Sequence, residues 1–250
     1  MIGTCWSLID GYLKQISSGP FGVFGVNQND NIYFREGIAQ NNIYGSSWTC
    51  LDGALKQISN GEYGIWGVNS CNNIYYRNNV SKNNQKGTSW TQIDGTFSHV
   101  SVGYYGIWAL TPQGKIFFRE GVTNVNPMGI GWTQIEGGLT DISVGYFGVW
   151  GVNSNGEIYY RNNVNILNPK GTEWVNIDGE LKNISVGYYG IFGVNSKNEI
   201  FFRKGVNKLN NKGTNWIKLD GELKNISGGD HGLWGVNTKD EIFVRENIFS

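Results

Sequence analysis

GTEWVNIDGELKNISVGYYGIFGVNSKNEIFFR, residues 171–203, is one period of a pattern that fills the chain. It breaks into four short apolar runs, 174–177, 181–186, 190–195 and 200–203. Asp178-Gly179, the Gly187 to Gly190 stretch with its two tyrosines, and Ser196 to Asn198 read as turn material between them. No 3.6-residue apolar spacing is present, so the runs read as strands. Pairs such as Ile191-Phe192 and Phe201-Phe202 place apolar groups on both faces, which an antiparallel sheet tolerates only when it is covered on both sides. The unit is a four-stranded sheet that needs a neighbour on each face.

Outward from this stretch the same unit recurs every 42 residues. Trp6, Trp48, Trp90, Trp132, Trp174 and Trp216 keep that spacing, as do Gly11, Gly53, Gly95, Gly137, Gly179 and Gly221, and the six arginines from Arg35 to Arg245. A four-stranded unit at this period is the signature of a propeller, whose sheets stack radially around a channel. Six copies predict an all-β fold: a single six-bladed β-propeller over residues 1–250, with four antiparallel strands per blade. The last copy stops after its third run, Ile242 to Arg245, whereas Thr4 to Ile9 is a fourth-type run with no blade before it. The N-terminal run is therefore expected to complete the last blade and close the ring. The Leu-x-x-Ile-Ser run is expected to line the channel, because small Ser and Gly suit a crowded axis.

Composition narrows the function. With 37 glycines, 14% aromatics and 16% charged residues, the chain has the balance of a turn-rich β protein. Twenty basic residues offset twenty acidic ones, leaving no net field to attract nucleic acid or an anionic membrane. No run is apolar for long enough to span a bilayer, so no membrane insertion is expected. Met1 to Gln15 lacks the basic start and apolar core of a signal peptide, which implies a soluble protein that is cytoplasmic or secreted without a visible signal. Cys5, Cys50 and Cys71 sit at non-equivalent places with no disulfide or zinc spacing, pointing to a reduced compartment. Asn183-Ile-Ser and Asn225-Ile-Ser match the glycosylation pattern but fall in expected interior strands. His99 and His231, the two histidines, occupy different positions of different copies. No catalytic cluster, metal or cofactor is therefore expected, and the chain reads as a non-enzyme. Asp10, Asp52, Asp94, Glu136, Asp178 and Asp220 each precede Gly in an expected turn, where an acid bonds local backbone.

The recurring W-x-x-I-D-G-x-L-x-x-I-S-V-G-x-Y-G-V-W-G-V-N-x-x-x-x-I-Y-Y-R resembles the tectonin repeat of slime-mould tectonins, fish egg lectins, a horseshoe-crab tachylectin and fungal tectonin lectins. The resemblance covers the whole chain. WD40 repeats share the period but not the Gly-His and Trp-Asp signatures, and RCC1-type repeats share only the Ile-Ser-x-Gly element. The resemblance implies a defence-related lectin for microbial or invertebrate cell-surface glycans, including lipopolysaccharide, GlcNAc-type and O-methylated sugars. A non-catalytic protein-interaction propeller is the alternative, and a homo-oligomer is compatible with either.

Strand alternation sends the Gly-Tyr-Tyr-Gly turns and the long loops such as 120–131 to one face, and the tight Asp-Gly and Asn-Ser turns to the other. The long-loop face is the expected binding face, with ligand in the grooves between adjacent blades. Sugars need planar hydrogen-bonding groups for hydroxyls and aromatic planes for the C–H face. Candidate donors and acceptors are Arg35, Arg77, Arg119, Arg161, Arg203 and Arg245, the amides of Asn78, Asn79, Asn162 and Asn163, and Glu120. The arginines have a second reading, as partners of loop carbonyls in every blade. Candidate stacking residues are Tyr63, Tyr104, Tyr105, Tyr146, Tyr188 and Tyr189. In each turn the second aromatic recurs and suits blade packing. The first varies as Pro20, Glu62, Tyr104, Tyr146, Tyr188 and Asp230, which makes copies three to five the strongest expected sites. Trp66, Trp108, Trp150 and Trp234, mid-strand with Phe24 and Phe192, read as inter-blade core.

Overall fold

A computed structural model of the chain describes residues 5–39 and 41–246. Among them are 24 strands and no helix, arranged as six antiparallel four-stranded sheets. The first blade runs outward as β2 (Gln15–Gly19), β3 (Gly22–Val26), β4 (Asn31–Arg35) and β5 (Trp48–Ala54). The next four blades repeat this order. The sixth has β22 (Asn225–Gly229), β23 (Gly232–Val236) and β24 (Glu241–Arg245), and takes its outer strand from β1 (Trp6–Tyr12). β1 pairs with β24 from Trp6↔Arg245 to Ile9↔Ile242, so the two ends of the chain close the ring as expected. Thr4, the expected start of this run, lies outside the described residues.

The Ile-Ser-x-Gly sequence makes the inner wall because both small residues meet the next blade. Ser17, Ser59, Ser101, Ser143, Ser185 and Ser227 each accept a backbone N–H from the neighbouring inner strand at 2.9–3.0 Å. The glycine two residues later permits a contact that no side chain would fit. A Cβ on Gly103 would stand 2.0 Å from the Val144 carbonyl oxygen, and one on Gly145 2.0 Å from that of Val186.

Between the blades lie Trp66, Trp108, Trp150 and Trp234 with Phe24 and Phe192, all buried. Trp66 packs edge-on to Tyr76 at 5.5 Å and shares a core with Phe97 and Val100 of the next blade. A buried aromatic of this size removes roughly 150–250 Å² from water, about 4–6 kcal/mol before entropy. Repetition of this layer at every interface holds the disc together.

The Asp-Gly step corrects the expected strand limits. It is not a turn: Asp178 and Gly179 lie inside β17 (Trp174–Glu180), the outer strand of the fourth blade. The neighbouring strand pairs Ile158 with Ile177 but Glu157 with Glu180, so two extra residues bulge from β17. Gly179 takes φ 97°, a conformation costly for other residues, and a Cβ there would press on the Trp216 indole at 2.9 Å. The connection to the next inner strand, β18 (Asn183–Gly187), is made by Leu181 and Lys182, and Leu181 is buried against Gly193. Cys5, Cys50 and Cys71 are exposed and form no disulfide with one another.

Candidate functional site

The six arginines stand last or next to last in the third strand of each blade, and they point into the interfaces. Each is only 3–4% exposed. Arg119 places its guanidinium 5.0 Å from the Trp132 ring of its own blade, donates from Nε to the Met128 carbonyl at 2.7 Å, and reaches Asp94 of the preceding blade at 2.6 Å. Trp132 Nε1–H donates to the Asp94 carbonyl at 2.8 Å, so arginine and tryptophan together grip the acidic residue of the bulge. The same clasp joins Arg35 to Asp10, Arg77 to Asp52, Arg203 to Asp178 and Arg245 to Asp220 at 2.6–2.7 Å, and Arg161 to Glu136. Two expectations change here. The acids reach the arginine of a neighbouring blade in addition to local backbone, which bonds Glu136 and Asp220, and the arginines fill interfaces instead of standing open on the binding face. Their expected reach to loop carbonyls is present as well.

The long loops are ordered by their own polar groups. Asn79 and Asn163 adopt φ 57°, where Gly37, Gly121 and Gly205 stand in the other copies, and each donates to a threonine hydroxyl, Thr88 or Thr172. Asn78 bonds Ser89 and Thr91, and Asn162 bonds Glu173. Glu120 accepts from Lys170 of the next blade and from Thr133, which together hold its carboxyl below the usual glutamate range despite partial burial. These five side chains shape loop roots.

The tyrosines are brought together. The first turn residues ring the channel mouth in the order Pro20, Glu62, Tyr104, Tyr146, Tyr188, Asp230, above a cavity of about 300 Å³ floored by the close-packed glycines. Tyr104 and Tyr146 stand 5.7 Å apart and Tyr146 and Tyr188 6.0 Å apart, a continuous arc over half the mouth. Tyr104 is 37% and Tyr188 60% exposed. Behind them Tyr63, Tyr105, Phe147 and Tyr189 pack on the blade cores, and burial raises the phenol pKa of Tyr63, Tyr105 and Tyr189. The opposite arc is acidic: although Glu62 is open to solvent, crowding at the mouth and the nearby Asp230 charge raise its carboxyl pKa.

A groove of about 470 Å³ runs outward from the arc. Its floor is Tyr104, Tyr105, Tyr146 and Phe147, and its far wall comes from two long loops: Asn165, Ile166 and Leu167 from one, Lys208 and Asn211 from the next. The reading of the residues alone did not single out these loop groups. Their signal lies in the alignment of copies: one loop position reads Asn41, Asn83, Val125, Leu167, Leu209. The three aliphatic side chains are 96%, 96% and 99% exposed, and they belong to the same three copies that carry the tyrosines. Among the described residues, no group of three or more His, Cys, Asp or Glu could hold a metal ion.

A rigid disc with a uniform frame and one varied, aromatic face is a binding propeller of the lectin or protein-interaction kind. The chain belongs to the tectonin family: the family model for the tectonin domain matches residues 2–138, 126–220 and 189–250. No curated protein matches the chain. Among solved structures it is similar to human WBSCR16, with 14% identity, TM-score 0.55, and coverage of 93% of this chain and 71% of that one. Yeast RCC1 (Prp20), solved bound to Kap60, has 10% identity and TM-score 0.55 over 89% and 67% of the two chains. YCF48 from Cyanidioschyzon merolae has 13% identity and TM-score 0.53 over 98% and 89%. At these identities the likeness is one of fold.

Proposed function

We propose that the protein is a carbohydrate-binding propeller that engages cell-surface glycans of microbial or invertebrate type through the half of its face formed by copies three to five, in a defence role. The observation that carries this reading is the arc of Tyr104, Tyr146 and Tyr188 opening onto a groove that also presents the amides of Asn165 and Asn211. Aromatic planes receive the C–H faces of sugar rings, and amides donate to and accept from hydroxyls. Adjacent shallow sites on one rigid face gain about 10² to 10⁴ in avidity on a repetitive surface. Membership of the tectonin family supports the same reading.

The test is binding to glycan-coated particles beside binding to the free monosaccharide. Strong particle binding or agglutination with weak monosaccharide binding is expected. A single tight site per chain for a neutral monosaccharide in calorimetry, or particle binding unchanged when the tyrosine arc is replaced, would contradict it. The near-complete exposure of Val125, Leu167 and Leu209 favours a second reading, a protein-docking disc, which predicts a blank glycan array.

A further inference from the structure

We infer that the groove running from the tyrosine arc to the long loops of the fourth and fifth copies selects saccharides bearing a negative charge, with Lys208 as the anion anchor; this rests on the glycan-binding reading above. Four of the six mouth residues have a described loop residue 62 positions later, in the following copy: Pro20 with Lys82, Glu62 with Asn124, Tyr104 with Ile166, Tyr146 with Lys208. The last of these pairs alone joins a cation to an aromatic. Lys208 Nζ stands 5.6 Å from the Tyr146 ring centroid, which fixes an otherwise flexible ammonium at the groove wall.

Among the described residues, none of the side chains lining this groove is acidic, so none of them sets a carboxylate against the ammonium there. The loop lysines Lys86 and Lys170 differ, since Glu36 and Glu120 neutralise them at 2.7 Å. A hydrogen bond to the Tyr146 phenol holds the Lys208 amine above its usual range. Ile166 and Leu167 line the same groove beside it. Their apolar surface thins the water around an incoming anion, which strengthens its attraction to the ammonium. The arrangement offers a stacking plane, an unneutralised cation and an apolar wall, and so fits a sugar ring with a carboxylate or phosphate substituent.

The experiment is a glycan array of neutral oligosaccharides with their carboxylated and phosphorylated counterparts, followed by calorimetry on the best-bound matched pair. The charged member is expected to bind about tenfold more tightly than the neutral one, a difference of about 1.4 kcal/mol. That preference should shrink between about 0.05 M and about 0.5 M salt as screening shortens. It should vanish in Lys208→Met, and survive in Lys208→Arg and in the ion-paired control Lys170→Met. Lys208 is exposed, so circular dichroism should find the Met variant folded. The carboxylated and phosphorylated arms report which anion is preferred. Equal binding of neutral and charged sugars, or a preference that persists in Lys208→Met, overturns the inference and leaves glycan binding standing. Binding to no sugar at all overturns both.

Discussion

Six clasps between the blades and six turns around the channel mouth occupy the same repeated frame, yet they have been treated differently. At the clasp, arginine and tryptophan recur in every copy, and the acid changes only from Asp to Glu at Glu136. At the mouth, the equivalent position runs through proline, two different acids and three tyrosines. Each clasp solves the same geometric problem, joining one blade to the next at a fixed angle, so any departure costs stability at that interface. A mouth residue has no such duty. Sameness across copies therefore marks the frame, and variation marks the surface that the frame leaves free, where the proposed binding would fall.

The most severe way to break this division is to delete residues 1–12. That removes β1, and with it Trp6 and Asp10, members of two clasps, while baring the edge of β24. Loss of the cooperative unfolding transition and aggregation on size-exclusion chromatography are expected. Next is Gly103→Ala, which sets a methyl against the Val144 carbonyl. It should cost about 3 kcal/mol in urea unfolding, the upper end for overpacking.

Arg119→Ala should cost about 2 kcal/mol in the same measurement, against less than about 0.5 for Tyr104→Ala. Because Asp94 is 62% exposed, most of the Arg119 loss should come from the Trp132 stack and the Met128 carbonyl rather than from the ion pair, and added salt should change it little. The smallest effect tests a frame position that does vary. Asp141, buried at the channel wall, accepts from Ile184 N–H at 2.7 Å where the fifth and sixth copies use Asn183 and Asn225. Burial raises its carboxyl pKa, against the opposing pull of His99. The folded ring therefore holds this proton more tightly than the unfolded chain, and the resulting stability is full below about pH 4 and lost as pH rises through the raised value. Asp141→Asn should give a small rise in melting temperature at neutral pH and a flatter pH profile.

Blade number, ring closure, the inner Ile-Ser strands and the buried tryptophans were legible in the sequence, because a 42-residue period and two-sided apolar strands admit few architectures. The Asp-Gly bulge was not, since the same dipeptide serves a tight turn and a bulge, and only the pairing of the adjacent strand separates them. Nor was the burial of the arginines: a planar donor fork serves a sugar hydroxyl and a neighbouring carboxylate equally well. The tyrosine arc was visible as a run of three copies. Its facing wall of Ile166, Leu167 and Lys208 was not, because it belongs to the following loop and reaches the turns only when the blades stack.

The central claim, that varied positions bind while repeated ones hold the ring, is tested most directly by measuring glycan-particle binding and thermal unfolding together on one triple variant, Tyr104→Ala, Tyr146→Ala and Tyr188→Ala. Binding should fall at least about a hundredfold as adjacent sites are lost together, with the melting temperature close to that of the parent protein. Full binding in the variant, or a collapse of its melting temperature that makes the arc part of the frame, would contradict the account.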